Sequence, residues 1–318
     1  METDNLNPIA GGYVDLQING FFGVDFNDPL ATPEQLESSA AELAKIGVAA
    51  ALPTIITGDL DSMCACIKNV VAAMNSHPFA RQIFRGIHIE GPFISAVPGY
   101  IGAHPPEHAQ RSSLSSLTKL LEAAEGKARL ITLAPEVDDD GSLTSEAIQR
   151  GCVVAAGHTD ASLGDLRRCI DAGLSLFTHL GNGCPRLMDR HDNIIYRALS
   201  FSDQLSYTLI ADGAHLPAVL FRNLLNWVDH QRLCVVSDSI SAAGLGPGNY
   251  GIGSRKVTVG ADKVAWDAVE GHFVGSASSM RDADVWLSQA LGLDIKLRRL
   301  LLCENPSRLG RMVGFNQS

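Results

Sequence analysis

Eight short apolar, β-branched runs, separated by longer amphipathic stretches, restrict the fold of this chain more than any other feature. They are 13–18 (YVDLQI), 48–56 (VAAALPTII), 84–90 (FRGIHIE), 128–135 (ARLITLAP), 152–158 (CVVAAGH), 174–179 (LSLFTH), 206–212 (SYTLIAD) and 233–238 (LCVVSD). Runs of this length and composition read as buried strands. Helical patterns fill most of the gaps: 33–47, 60–75, 113–126, 143–151, 162–173 and 217–231. The first starts after Thr32, an N-cap residue, and ends at Gly47, suited to the left-handed position past a helix end. Strand–helix alternation indicates a parallel sheet. Eight such repeats fit an α/β fold of the (β/α)8 TIM-barrel type better than an open sheet.

Residues 246–275 break this rhythm with turn residues and short alternating stretches, read as a β-hairpin excursion after strand eight. Two closing helices are expected, around 279–292 and 295–303. No Pro/Ser-rich linker divides the chain, so 1–318 is expected to be a single domain. A charged fraction of 19% beside 46% hydrophobic residues excludes disorder. The net charge of −10, with no block of Lys or Arg, argues against nucleic acid and against an anionic membrane surface as partners. It leaves room for an anionic small substrate in a locally positive pocket. The seven cysteines have no zinc-ribbon or disulfide spacing, and several sit in apolar runs, which points to a reducing cytoplasm. The first residues, METDNLNPIAGG, lack the apolar core of a signal peptide, and no apolar run reaches the roughly 20 residues of a membrane span.

In a barrel of this type the active site lies where the strands end at their C-terminal side. Run one carries Asp15, Gln17 and Asn19; run three ends on His88 and Glu90; run five on His158. Run six ends on His179 with Asn182 beyond it, run seven on Asp212 with His215 beyond it, and run eight on Asp238. A carboxylate at the end of a buried strand, as Glu90 is in GIHIEGPF, is costly unless something pairs with it. Glu90, His158 and His179 together make a donor set for Zn²⁺ or a similar divalent ion, with a position left for water. A single histidine of this kind would be a hydrogen-bonded core residue; one carboxylate and two histidines at equivalent strand ends point to a metal. Asp238 either exchanges protons with water and a leaving group or caps the following turn.

Several stretches resemble the N-acetylglucosamine-6-phosphate deacetylases of the amidohydrolase superfamily, from about residue 11 to about 310. They are HIEGPFIS and GAHPPEH (within 88–108), LAPE (133–136), AAGHTDAS (155–162), FTHLGNGCP (177–185), IADGAHLP (210–217), VVSDSISAAGL (235–245), GSASSM (275–280) and NPSRLG (305–310). The resemblance implies one divalent metal, with Zn expected and Fe, Co or Mn as alternatives, held by Glu90, His158 and His179. It implies that Asp238 is general base and then acid, and that His104 polarises the acetyl carbonyl. It implies backbone N–H groups of Asn182 and Gly183, and His215, at the sugar phosphate. Arg190 would reach the phosphate of a neighbouring subunit, which implies a homodimer. The implied reaction gives acetate and glucosamine 6-phosphate.

Three departures accompany the resemblance. Gln17 and Asn19 stand where many amidohydrolases have His-x-His, which disfavours a second metal. The small β-sandwich that the family builds from both termini is expected to be absent or reduced. The family's Asn-Ala-Met reads Asn182-Gly183-Cys184, and His191-Asp192-Asn193 follows Arg190, so the substrate pocket can differ. Two alternatives follow: an amidohydrolase for another N-acetyl sugar or amide, and a sugar-phosphate binder without catalysis.

Overall fold

The computed structural model of the chain describes residues 9–252, 255–267 and 273–310. The eight apolar runs form one parallel sheet whose strand order follows the chain. Its strands are β1 (Tyr13–Ile18), β2 (Val48–Ile56), β3 (Ile87–Glu90), β4 (Ala128–Leu133), β5 (Val153–Ala156), β6 (Leu176–Phe177), β7 (Ser206–Ile210) and β8 (Leu233–Val236). Nearly every residue in them is buried, because helices cover the outside and side chains fill the inside. This is why the runs read as apolar without alternation.

The sheet is nearly closed, and hydrogen bonds tie β1 to the end of β8. Asp238 N–H donates to the Gln17 carbonyl at 2.9 Å, and Asn19 N–H to the Ser239 carbonyl at 2.8 Å. Beneath them the buried Asp15 carboxylate accepts from Ser237 N–H at 3.1 Å and from Ser237 Oγ at 2.5 Å. The seam thus joins the strand carrying Gln17 and Asn19 to the residue preceding Asp238.

Helices begin at their caps. Thr32 and Gln35 form a capping box for Pro33–Lys45, Ser162 and Asp165 one for Leu163–Asp171, and Ser279 and Asp282 one for Met280–Gln289. Leu60–Ser76, Leu114–Ala123, Ser142–Gln149 and Ala218–Trp227 fall where the sequence pattern places them. Two short helices, Pro78–Ile83 and Ile194–Leu199, were not expected. The second closing helix is Ile295–Arg299, which runs through a π-helical turn at Leu300–Glu304 into Asn305–Leu309.

The excursion after β8 is larger than one hairpin. It is a four-stranded antiparallel sheet of β9 (Gly248–Ile252), β10 (Arg255–Val259), β11 (Val264–Asp267) and β12 (Phe273–Ser276). Val257, Val259, Ala265 and Val274 bury one side of it against Ile240 and Ala242. It docks beside the eighth strand end: Ser276 N–H donates to the Asp238 carbonyl at 3.0 Å, and Ile240 N–H to the Ser276 carbonyl at 2.9 Å. Among the described residues no strand precedes Tyr13 or follows Ser276, so a sandwich built from both termini has no counterpart there. Most of the signal-peptide expectation falls on residues 1–8, outside the described residues. No helix among the described residues is long and apolar enough to cross a membrane.

Burial pushes the Asp15 carboxyl up to about 7. The folded chain therefore keeps a proton on Asp15 that the unfolded chain releases above about pH 4. Asp15 makes folding less favourable as pH rises from about 4 to about 7. Thermal unfolding across that range should show wild type losing stability relative to Asp15→Asn. Parallel curves for the two proteins would show that the Asp15 carboxyl is not raised in the folded state.

Candidate metal centre and active site

Three strand ends share an unusual backbone. His158, His179 and Asp238 follow β5, β6 and β8 with φ values of 51°, 32° and 48°. A residue other than glycine in this left-handed region costs roughly 1–3 kcal/mol, and such strain gathers at functional sites. It turns each side chain from the strand direction into the barrel mouth. His179 N–H is held there by Thr208 Oγ1 at 2.7 Å. Thr159, next to His158, donates to Glu136, which also accepts Asp160 N–H at 2.9 Å.

Glu90, His158 and His179 converge to a triangle. Glu90 Oε1 lies 3.3 Å from His158 Nε2 and 3.1 Å from His179 Nε2, and the two nitrogens are 3.1 Å apart. Glu90 is only 2% exposed. His158 donates Nδ1–H to the Tyr100 carbonyl at 3.0 Å, which turns the Nε2 lone pair inward. A lone pair facing a carboxylate oxygen needs a positive charge between them. Burial works to raise the Glu90 carboxyl, but the His158 and His179 imidazoles packed against it outweigh burial and hold it well below the usual carboxylate range. The donor set fits one divalent ion: ligand atoms about 2.0–2.2 Å from a tetrahedral ion stand only slightly farther apart than these edges.

His104 offers another nitrogen, within 4.8 Å of the Glu90 and His158 ligand atoms. Its ring lies against His158, centroids 4.3 Å apart. Its hydrogen bonding differs, because His104 Nδ1 accepts Thr57 N–H at 3.3 Å. That places the proton on Nε2 and makes His104 a donor, whereas His158 presents a lone pair. The tautomers and the shorter distances favour Glu90, His158 and His179 as the ligand set, with His104 beside it.

Gln17 and Asn19 support the carboxylates. Gln17 Nε2 donates to Glu90 Oε1 at 3.0 Å, and Asn19 Nδ2 to Asp238 Oδ1 at 2.7 Å. Burial raises the Asp238 carboxyl, with His179 opposing and Glu90 adding to the rise. One layer below, His88 bridges Thr54 Oγ1 at 3.3 Å and Thr132 Oγ1 at 2.8 Å. Burial lowers its imidazole to about 4, so it is neutral and serves the barrel interior.

A cleft of about 1400 Å³ opens over the triangle. Its lining includes Glu90, His104, His158, His179, Asn182, Gly183, His215 and Asp238, but not Arg190, which is exposed outside it. Asn182 N–H is spent on the His179 carbonyl at 2.9 Å, while Gly183 N–H has no partner among the described residues. His215 Nδ1 meets Asp212 Oδ2 at 2.6 Å, and Ser276 Oγ donates to the same oxygen at 3.0 Å. The His215 ring and the His215 and Ala214 N–H groups overcome burial and bring Asp212 down to about 2. The small sheet adds Phe273, 4.8 Å from the His215 ring, and Trp266, 4.6 Å from Phe273, as one wall.

The sequence reading did not assign roles to Glu136, Asp212, Trp266 or Arg186, another residue of the lining. The Asp-x-x-His spacing of Asp212 and His215 was a usable signal for one of them. Nothing local marks the others.

No protein-family model matches the chain. The N-acetylglucosamine-6-phosphate deacetylase of Bos taurus is 31% identical over 264 residues, 79% of this chain and 62% of that protein. The N-acetylgalactosamine-6-phosphate deacetylase of Escherichia coli O157:H7 is 29% identical, over 78% of this chain and 64% of its own length. The chain thus spans somewhat less than two thirds of these curated relatives. A solved structure of N-acetyl-D-glucosamine-6-phosphate deacetylase from Mycobacterium smegmatis, in complex with N-acetyl-D-glucosamine-6-phosphate, superposes with a TM-score of 0.84. It is 26% identical and covers 94% of this chain and 76% of that one.

Gly183 gives a test of the centre. A Cβ there would sit 2.9 Å from His158 Nδ1, and Gly183 has a φ of 58°. Gly183→Ala should therefore displace His158 and weaken metal binding by about 10-fold or more, read by chelator competition. Unchanged affinity would show that Gly183 does not position His158.

Proposed function

We propose that this chain, which belongs to the N-acetylglucosamine-6-phosphate deacetylase family of the amidohydrolase superfamily, is a metal-dependent hydrolase. Its substrate is N-acetylglucosamine 6-phosphate and its products are acetate and glucosamine 6-phosphate. The observation that carries this reading is the Glu90, His158 and His179 triangle with Asp238 beside it in one cleft. Glu90, His158 and His179 hold one divalent ion; Zn²⁺ suits two imidazoles and a carboxylate best, and Fe, Co and Mn accept the same donors. Bound there, the ion supplies Lewis acidity and lowers the pKa of a water.

The chain's own groups do the rest. Asp238, aimed by Asn19, accepts a proton from the attacking water. A carboxyl raised by burial is better matched to this work than an ordinary one. As the water oxygen bonds to the acetyl carbon, His104 Nε2–H donates to the carbonyl oxygen where negative charge grows. When the C–N bond breaks, Asp238 returns the proton to the leaving amine. Gly183 N–H, in the turn that Asn182 N–H closes on the His179 carbonyl, and His215, fixed by Asp212, bind the sugar phosphate.

A single barrel domain carries the reaction. Arg190 lies outside the cleft of its own chain; in the proposed homodimer it would serve the phosphate in the neighbouring subunit. The seven cysteines show no zinc-ribbon or disulfide spacing, which fits a reducing, cytoplasmic setting. A second reading keeps the chemistry and changes the sugar. The galactosamine relative is nearly as similar as the glucosamine one, so the C4 epimer is the competing substrate. Rates on both 6-phosphates separate the two.

Asp238→Asn should lose about 10²–10⁴-fold in turnover while binding as much metal as wild type. Turnover within a few-fold of wild type would remove Asp238 from its role.

A further inference from the structure

We infer that Arg186 binds the substrate's phosphate in the cleft of its own chain and sets the preference for phosphorylated over neutral sugars. The inference rests on the reading above that the substrate is a phosphate monoester. Among the described residues lining the cleft, Arg186 is the only Lys or Arg, against the carboxylates Asp25, Glu90, Glu107 and Asp238. A dianion entering that lining needs a fixed cation besides the metal. Arg186 is also uncommitted: among the described residues its guanidinium has no ion pair or hydrogen bond. Nearby arginines are spent, Arg197 on Asp192 and Asp160, and Arg168 on Asp165.

The loop holds the backbone leading into Arg186 in place. It follows His179, and Gly183 approaches the His158 ring. Pro185 lies so close to Gly99 that a Cβ on Gly99 would meet its Cγ at 2.6 Å. Pro185 fixes its own φ immediately before Arg186. Gly183 N–H, without a partner, belongs to the same loop. A planar guanidinium pairs with phosphate through two parallel hydrogen bonds. Arg190, four residues further on, is exposed as Arg186 is, but only Arg186 borders the cleft.

The test measures acetate release from N-acetylglucosamine and its 6-phosphate by the metal-loaded enzyme, with Arg186→Gln, Arg186→Lys and Arg190→Gln. Arg186→Gln should raise KM for the 6-phosphate about 10- to 100-fold, leave kcat within a few-fold, and leave the neutral sugar unchanged. Arg186→Lys should recover part of the loss. An unchanged 6-phosphate preference in Arg186→Gln, or equal losses on both sugars, would overturn the inference. So would loss of the preference in Arg190→Gln alone. Should wild type release no acetate, the reaction assignment fails separately, and calorimetry with glucosamine 6-phosphate decides. Tighter binding to wild type than to Arg186→Gln supports the inference, while equal affinity or no binding overturns it.

Discussion

The burial of Glu90 is the constraint around which the rest of the structure is arranged. A carboxylate taken out of water costs several kcal/mol unless opposite charge and hydrogen bonds replace the lost hydration. Here three groups from different directions surround it: the Gln17 amide donates at 3.0 Å, and the His158 and His179 nitrogens at 3.3 and 3.1 Å would share a bound cation with it. Each arrives on a different strand. The centre therefore depends on a sheet that curves nearly into a closed barrel, and the left-handed backbone at His158 and His179 is compensated by the surrounding packing.

The same logic links Asp238 to the scaffold. Its backbone N–H and carbonyl are both committed, to Gln17 on β1 and to Ser276 on β12. Its carboxylate meets Asn19, the residue just past β1. The residue proposed to handle the proton thus sits where the barrel seam and the small sheet meet. Asp15 and Ser237 lock that junction from below, and Asp212 receives Ser276 Oγ while fixing His215. The small sheet consequently has two duties, bracing the eighth strand end and presenting Phe273 and Trp266 to the cleft.

Much of this was legible in the sequence, for identifiable reasons. Both faces of each barrel strand are covered, so the strands stand out as apolar runs, and polar residues at their ends mark the barrel mouth. Glu90, His158, His179 and Asp238 are found this way because each ends its own run. Strand β6 was less legible, since only Leu176 and Phe177 hold ladder geometry before the chain turns at His179. The tautomers of His158 and His104 were not legible, because they depend on the Tyr100 carbonyl and the Thr57 amide, far away in the chain. Arg186 looked like any loop arginine, and only the folded loop places it in the cleft lining while Arg190 stays outside. The four-stranded sheet was read as one hairpin because its turn-rich strands carry weak alternation.

The account stands or falls on coupling between metal and acetate release. The most direct measurement counts divalent metal per chain in the purified protein and follows acetate release from N-acetylglucosamine 6-phosphate, before chelation, after it, and after Zn²⁺ is restored. The account predicts about one metal per chain, release abolished by the chelator, and recovery with Zn²⁺. Release that persists after the metal is gone, or metal-loaded protein that releases no acetate, would contradict it.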